Sequence, residues 1–201
     1  MGAPLVRWAA MRRPVLSGLP RLGLAAALGL SLSLLTACTP APKEISDLQT
    51  FDYAGGDVRS GSVAYDISPP AGGPYNAFWQ TCGAYTAPVY DEYAVHTLAR
   101  GAVWVTYQPG LGADALTRLK AVLAIPLSVP NSDPPRTRVP LSLLSPRENL
   151  PAPIVMTAWN AQITAQNADD ERLKLFVERY GLGTQAPEAG GGCANGFSET
   201  R

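Results

Sequence analysis

Leu22 to Leu35 reads LGLAAALGLSLSLL, interrupted by nothing more polar than glycine and serine. Arg7, Arg12, Arg13 and Arg21 precede it, and no acidic residue does. A membrane-spanning helix needs roughly 20 apolar residues, so this run is too short to cross. It fits the core of a cleavable export signal behind a positively charged region. Residues 1–37 are therefore expected to lie outside the mature fold. The rest is expected in a compartment where disulfides persist. Met11, just before Arg12 and Arg13, is an alternative start that shortens the leader.

Directly after the run comes LTAC, Leu35 to Cys38. Small residues followed by cysteine resemble a bacterial lipobox, in which the cysteine thiol is acylated and becomes the new N-terminus. The plain alternative is a secretory signal with an incidental cysteine. Each buried acyl methylene contributes about 0.8 kcal/mol, so several chains anchor stably where one does not. The lipobox reading makes Cys38 the lipidation site and the membrane a partner through that anchor. Residues 38–56 are then a flexible, Pro-containing tether, residues 57–194 the globular domain and 195–201 a disordered tail. The expected location is extracytoplasmic, on a bacterial membrane.

The formal net charge of zero is misleading, because the leader is purely basic. The body is mildly acidic and has no Lys/Arg run, which argues against a nucleic-acid partner. Nineteen prolines and nineteen glycines predict many turns around a modest core. With Cys38 assigned to lipid, Cys82 and Cys193 remain, and two cysteines in an exported protein favour one disulfide. No C-x-x-C redox or metal motif is present. The bridge also accounts for APEAGGGCANG, which is too poor in large apolar groups to pack by itself. Pinning Cys193 to Cys82 would hold that segment to the body.

Along the mature chain, a short strand is expected around Val63–Tyr65. Ala102–Tyr107 (AVWVTY) is apolar on both faces and reads as an inner strand. Leu116, Leu119 and Leu123 have helical spacing in ADALTRLKAVL. The proline-dense region 126–151 leaves room for a short strand near Leu141–Leu144. PIVMTAW and AQITAQ suggest a hairpin around Asn160. In NADDERLKLFVERYG, Asn167 is the expected cap and Leu173, Phe176, Val177 and Tyr180 form one apolar stripe. Gly181 is the expected C-terminal stop. The fold class is α+β: a small, mostly antiparallel sheet with two helices packed on one face, loop-rich, with one disulfide.

Five segments in this order resemble the domain-of-unknown-function family 3105: YDISPPAGGPYNAFWQTCGAY, DEYAVHTLARGAVWVTYQP, LPAPIVMTAWNAQI, DDERLKLFVERY and the final cysteine. The likeness runs from about Val58 to Cys193. The family pattern is richer in histidine. Where relatives read GGPH, this chain has Tyr75 after Gly72-Gly73-Pro74. Where they read VHSLEHG, it has His96 followed by Ala99 and Arg100, and an upstream histidine position corresponds to Asp57. The resemblance implies a cluster of imidazoles and a carboxylate suited to copper, zinc or iron. Arginine stays protonated and cannot ligate, so such a site is expected to be largely lost here. His96, the only histidine in the chain, is the sole candidate ligand.

The alternatives for His96 are a structural hydrogen bond, a contact in a ligand pocket, or a metal ligand with Asp91, Glu92 or Asp57. Arg100 is expected to pair with Glu92 or Asp91 and fill the space of a metal. His96 is expected at the mouth of the strand. Asp91 and Glu92 are expected in extended chain, pointing to opposite faces. No triad, G-x-S-x-G, H-E-x-x-H or P-loop pattern occurs, so no catalytic residue is assigned. Trp79, Tyr85, Tyr90, Tyr93, Trp104, Tyr107 and Trp159 either pack a core or line a pocket. The candidate pocket is Tyr75, Trp79, His96, Arg100, Asp91 and Glu92.

The first expectation is a non-catalytic binding or accessory module of the cell envelope, with an envelope protein or small ligand as partner and no cofactor. The alternatives are a transition-metal protein or metalloenzyme with a degraded site, and a hydrolase working through carboxylates.

Overall fold

The computed structural model describes residues 43–201. The leader and Cys38 lie outside the described residues. In chain order the strands are β1 (Gln49–Thr50), β2 (Val58–Arg59), β3 (Tyr75–Asn76), β4 (Gly83–Ala84), β5 (Val103–Tyr107), β6 (Leu127–Ser128), β7 (Thr137–Arg138), β8 (Ser142–Pro146), β9 (Ile154–Ala158) and β10 (Ala161–Ala165). The helices are α1 (Asp91–Ala99), α2 (Ala113–Leu123) and α3 (Glu171–Tyr180).

The main sheet runs β1-β10-β9-β5-β8-β4. β5 pairs antiparallel with β9 and parallel with β8, and β4 joins β8 in parallel. The sheet is thus mixed, not mostly antiparallel. The reason lies in the connections: the chain leaves β5 through α2 and a long loop before returning as β8, and such a crossover allows parallel pairing. β9 and β10 form the expected hairpin, with Asn160 in the left-handed conformation at its turn (φ 61°). β2–β3 and β6–β7 are separate two-stranded pairs.

Alternation along β5 divides the core. Val103, Val105 and Tyr107 join the cluster on the face covered by α2 and α3, with Leu119, Leu123, Leu173, Phe176 and Val177. Trp104 joins the opposite cluster with Val95, Leu98, Tyr75 and Trp159. Each large side chain so buried stabilises the fold by about 1.5–3 kcal/mol. Two helices share one face, as expected; a third, α1, covers the other. Its sequence DEYAVHTLA buries Ala94, Val95, Leu98 and Ala99 while also burying Asp91, Glu92, His96 and Thr97. Its first turn carries both acids, where the helix dipole favours negative charge. Asp91 and Glu92 are therefore consecutive on a helix and not on opposite faces of extended chain, and His96 stands within that helix.

Three smaller expectations also change. Residues 63–65 form no strand; Tyr65 instead donates its hydroxyl hydrogen to the Pro74 carbonyl at 2.6 Å. The cap of α3 is Asp170, whose carboxylate accepts from the Arg172 amide, while Asn167 accepts from the Asp169 amide one turn earlier. Gly181 is right-handed (φ −66°), so the helix ends without a left-handed residue.

The regions expected as tether and tail make definite contacts. Ile45 is buried in the α2/α3-side core and β1 pairs with β10. Phe197 packs on Tyr93 with ring centroids 4.7 Å apart, and Arg201 reaches Asp91 at 3.1 Å. Apolar Ile45, Leu48 and Phe197 supply burial that a purely polar linker lacks. Cys82 and Cys193 form the expected disulfide, with Cα atoms 5.4 Å apart.

Candidate functional site

The site lies on the α1 side of the sheet. α1 brings His96 and, at its C-terminal cap, Arg100; β3 brings Tyr75; the segment after β3 brings Trp79. Tyr75 stacks on His96 with centroids 4.6 Å apart, and Trp79 meets the same imidazole edge-on at 5.6 Å. The Arg100 guanidinium lies 3.9 Å over the Trp79 ring, a cation–π contact. Four of the six expected pocket residues therefore do come together.

Glu188, outside the expected pocket, completes the group. Glu188 accepts a hydrogen bond from the Tyr75 hydroxyl at 2.7 Å through Oε1. Its Oε2 lies 3.1 Å from His96 Nε2 and 3.5 Å from Arg100 Nη1. Glu188 sits five residues before Cys193, which the disulfide ties to Cys82, a short way beyond Tyr75. That proximity was the signal available in the sequence.

The backbone is built to bring Glu188 here. Gly183 (φ +65°) approaches Gly101 so closely that a Cβ on Gly183 would stand 2.3 Å from the Gly101 oxygen. The Glu188 amide then donates to the Ala99 carbonyl at 2.8 Å, at the end of α1. Arg100 donates to the carbonyls of Gly191 and Gly192. The strap 183–193 is thus laid across the C-terminal end of α1 and locked at Cys193.

His96 Nδ1 lies 2.7 Å from the Asn76 carbonyl, which only accepts, so Nδ1 carries a hydrogen. Nε2 faces a Glu188 oxygen, so one proton lies between those two groups. For Glu188 burial acts upward, but hydrogen bonds from Tyr75 and His96 and the charges of His96 and Arg100 outweigh it. The carboxyl is held below its ordinary range and is the anion of the cluster. The Tyr75 phenol is pushed up by burial first and by its bond to Glu188 second.

Asp91 and Glu92 do not join this group. Asp91 takes a bidentate contact from Arg147, with Nη2–Oδ2 at 2.9 Å, and a second guanidinium from Arg201 at 3.1 Å. Glu92 is buried on the first turn of α1. Arg100 therefore pairs with Glu188 and not with Asp91 or Glu92, because it lies at the far end of α1 from both acids. Asp57 is exposed and pairs with Arg59 at 2.7 Å.

The donor set does not fit a divalent cation. Both imidazole nitrogens face protein acceptors, and an arginine cation shares the one nearby carboxylate. Among the described residues no group of three or more His, Cys, Asp or Glu side chains is placed to hold a metal ion. What the arrangement offers chemically is anion recognition: a phenol, an imidazole and a guanidinium converge on one carboxylate.

No curated protein and no solved structure matches this chain. A family model described as "Protein of unknown function (DUF3105)" matches residues 58–195, which includes Tyr75, Trp79, His96, Arg100, Glu188 and both bridged cysteines. The chain belongs to the DUF3105 family.

Proposed function

We propose that this chain is a lipid-anchored, extracytoplasmic binding or accessory module of the bacterial envelope, with no catalytic step of its own. The observation that carries the binding reading is the convergence of Tyr75, His96 and Arg100 on a single carboxylate. No serine, threonine or cysteine nucleophile is among the hydrogen-bond partners of His96, the chain's only imidazole. Asp91, a buried acid on the same helix as His96, has both oxygens engaged by arginine. The leader, the LTAC stretch and the Cys82–Cys193 bridge support the anchored, exported reading.

Growth of cells making the full chain with labelled palmitate tests the anchor. Label on the protein in the membrane fraction, lost on Cys38→Ala, is the expected result. An unlabelled full-length protein in the cytoplasm overturns it. Metal analysis of protein without a histidine tag tests the binding reading. Stoichiometric copper, zinc or iron that disappears with His96→Ala would replace it with a metal protein.

A further inference from the structure

The two sides of the Glu188 cluster differ in how they are held. Tyr75, buried on β3, is packed between His96 and Trp159. His96 is buried on α1 with its ring fixed by the Asn76 carbonyl. Arg100 is pinned between the Trp79 ring and two strap carbonyls. All three donors are thus held by contacts other than those to the Glu188 side chain. Glu188 belongs to a surface strap, between exposed Pro187 and exposed Ala189, and its side chain is 35% exposed. A rotation of that side chain toward water vacates the space without moving the backbone, which stays bonded through the Glu188 amide to Ala99.

We propose that Tyr75, His96 and Arg100 form a carboxylate-binding site which Glu188 occupies in cis, and that a small monocarboxylate ligand takes the site by displacing the Glu188 side chain. The three donors match the two oxygens of a carboxylate: the phenol serves one, the imidazole and guanidinium the other. Charge fits as well, since a guanidinium sits there beside one proton shared with the imidazole. The tethered acid competes at an effective concentration on the order of millimolar or above. Free carboxylates therefore bind the intact chain weakly, and only a ligand with further contacts on the rim competes well. The proposal deepens the reading of this domain as a binding module and does not depend on the lipid anchor.

The test is acetate titration of the purified full chain, its Glu188→Ala variant and its Glu188→Gln variant. Imidazole nitrogen resonances of the single histidine report the site, and melting temperature reports stability. Acetamide and chloride at matched ionic strength are the controls. In Glu188→Ala, acetate is expected to shift the His96 resonances saturably and raise the melting temperature, with neither control doing so. Half-saturation in the unaltered chain is expected at a concentration at least about tenfold higher. Glu188→Gln keeps the packing if the alanine variant does not fold, and it should respond to acetate between the two. The proposal is overturned if both variants are silent to acetate, if chloride acts equally, or if the unaltered chain responds at the same concentration as the variants. None of these outcomes alters palmitate labelling, so failure here is separable from failure of the anchor.

Discussion

Replacing Cys82 and Cys193 by serine tests how the fold is held. The bridge joins residues 111 apart in sequence, enclosing α1, α2, α3 and strands β4 to β10. Nearly the whole core therefore lies inside the closed loop. The chain-entropy relation gives about 4.7 kcal/mol for a loop near 100 residues, by restricting the unfolded ensemble. Against a typical total of about 5–15 kcal/mol, that is a large share. With a urea slope of about 2 kcal/mol/M, the midpoint should fall by roughly 2 M. A second effect is local: the strap carrying Glu188 loses its lock at Cys193, while its amide bond to Ala99 remains. Amide exchange at Glu188 and Gly191 should then accelerate more than exchange in β5 or β9. The assay is equilibrium urea denaturation by tryptophan fluorescence, together with hydrogen exchange. A double-serine protein with the same midpoint and the same exchange at the strap refutes the reasoning.

Asp91→Ala removes the partner of Arg147 from a largely buried pair, and breaking such a pair costs about 3–5 kcal/mol; the same urea assay reads it, and a loss below about 1 kcal/mol would show that Arg201 and solvent compensate. Glu188 gives a pH signature: its carboxyl is held below its ordinary value of 4.5, so its contribution is complete above that value and is lost as pH falls through the lower folded one. Melting curves across the acid range should therefore fall less steeply for Glu188→Gln than for the unaltered chain, and parallel curves would contradict the placement of the anion.

The helices that could be read from residue order share a property: one face of each is apolar and the other is not. The α3 stripe and the α2 leucines show it, while β5 and the hairpin around Asn160 are runs buried on both faces, and each forms as expected. α1 was hidden for the opposite reason. It is buried nearly all round, so Asp91, Glu92, His96 and Thr97 interrupt any stripe while lying inside the protein. Its nine residues also run straight into β5, which made the whole stretch look like a strand approach. The parallel pairing of β5 with β8 was out of reach, because nothing local distinguishes a strand that returns by crossover. In the site, Tyr75, His96 and Arg100 were legible through the family pattern, and Trp79 through the concentration of aromatic residues. Glu188 was not, since a glutamate in a glycine-rich strap looks like solvated surface until the disulfide is followed back to its partner. Asp91 and Glu92 were misplaced because sequence adjacency to His96 says nothing of which end of a helix each occupies.

The early start of the packed body sets a distance. Ile45 is already in the core, and the Lys43 carbonyl accepts from Arg179 at the end of α3. From residue 38 to residue 45 the backbone reaches at most about 25 Å when fully stretched. Were Cys38 acylated, as proposed, that length would cap the separation between the acyl group and Ile45. A partner of such an anchored chain would then have to be met close to the bilayer.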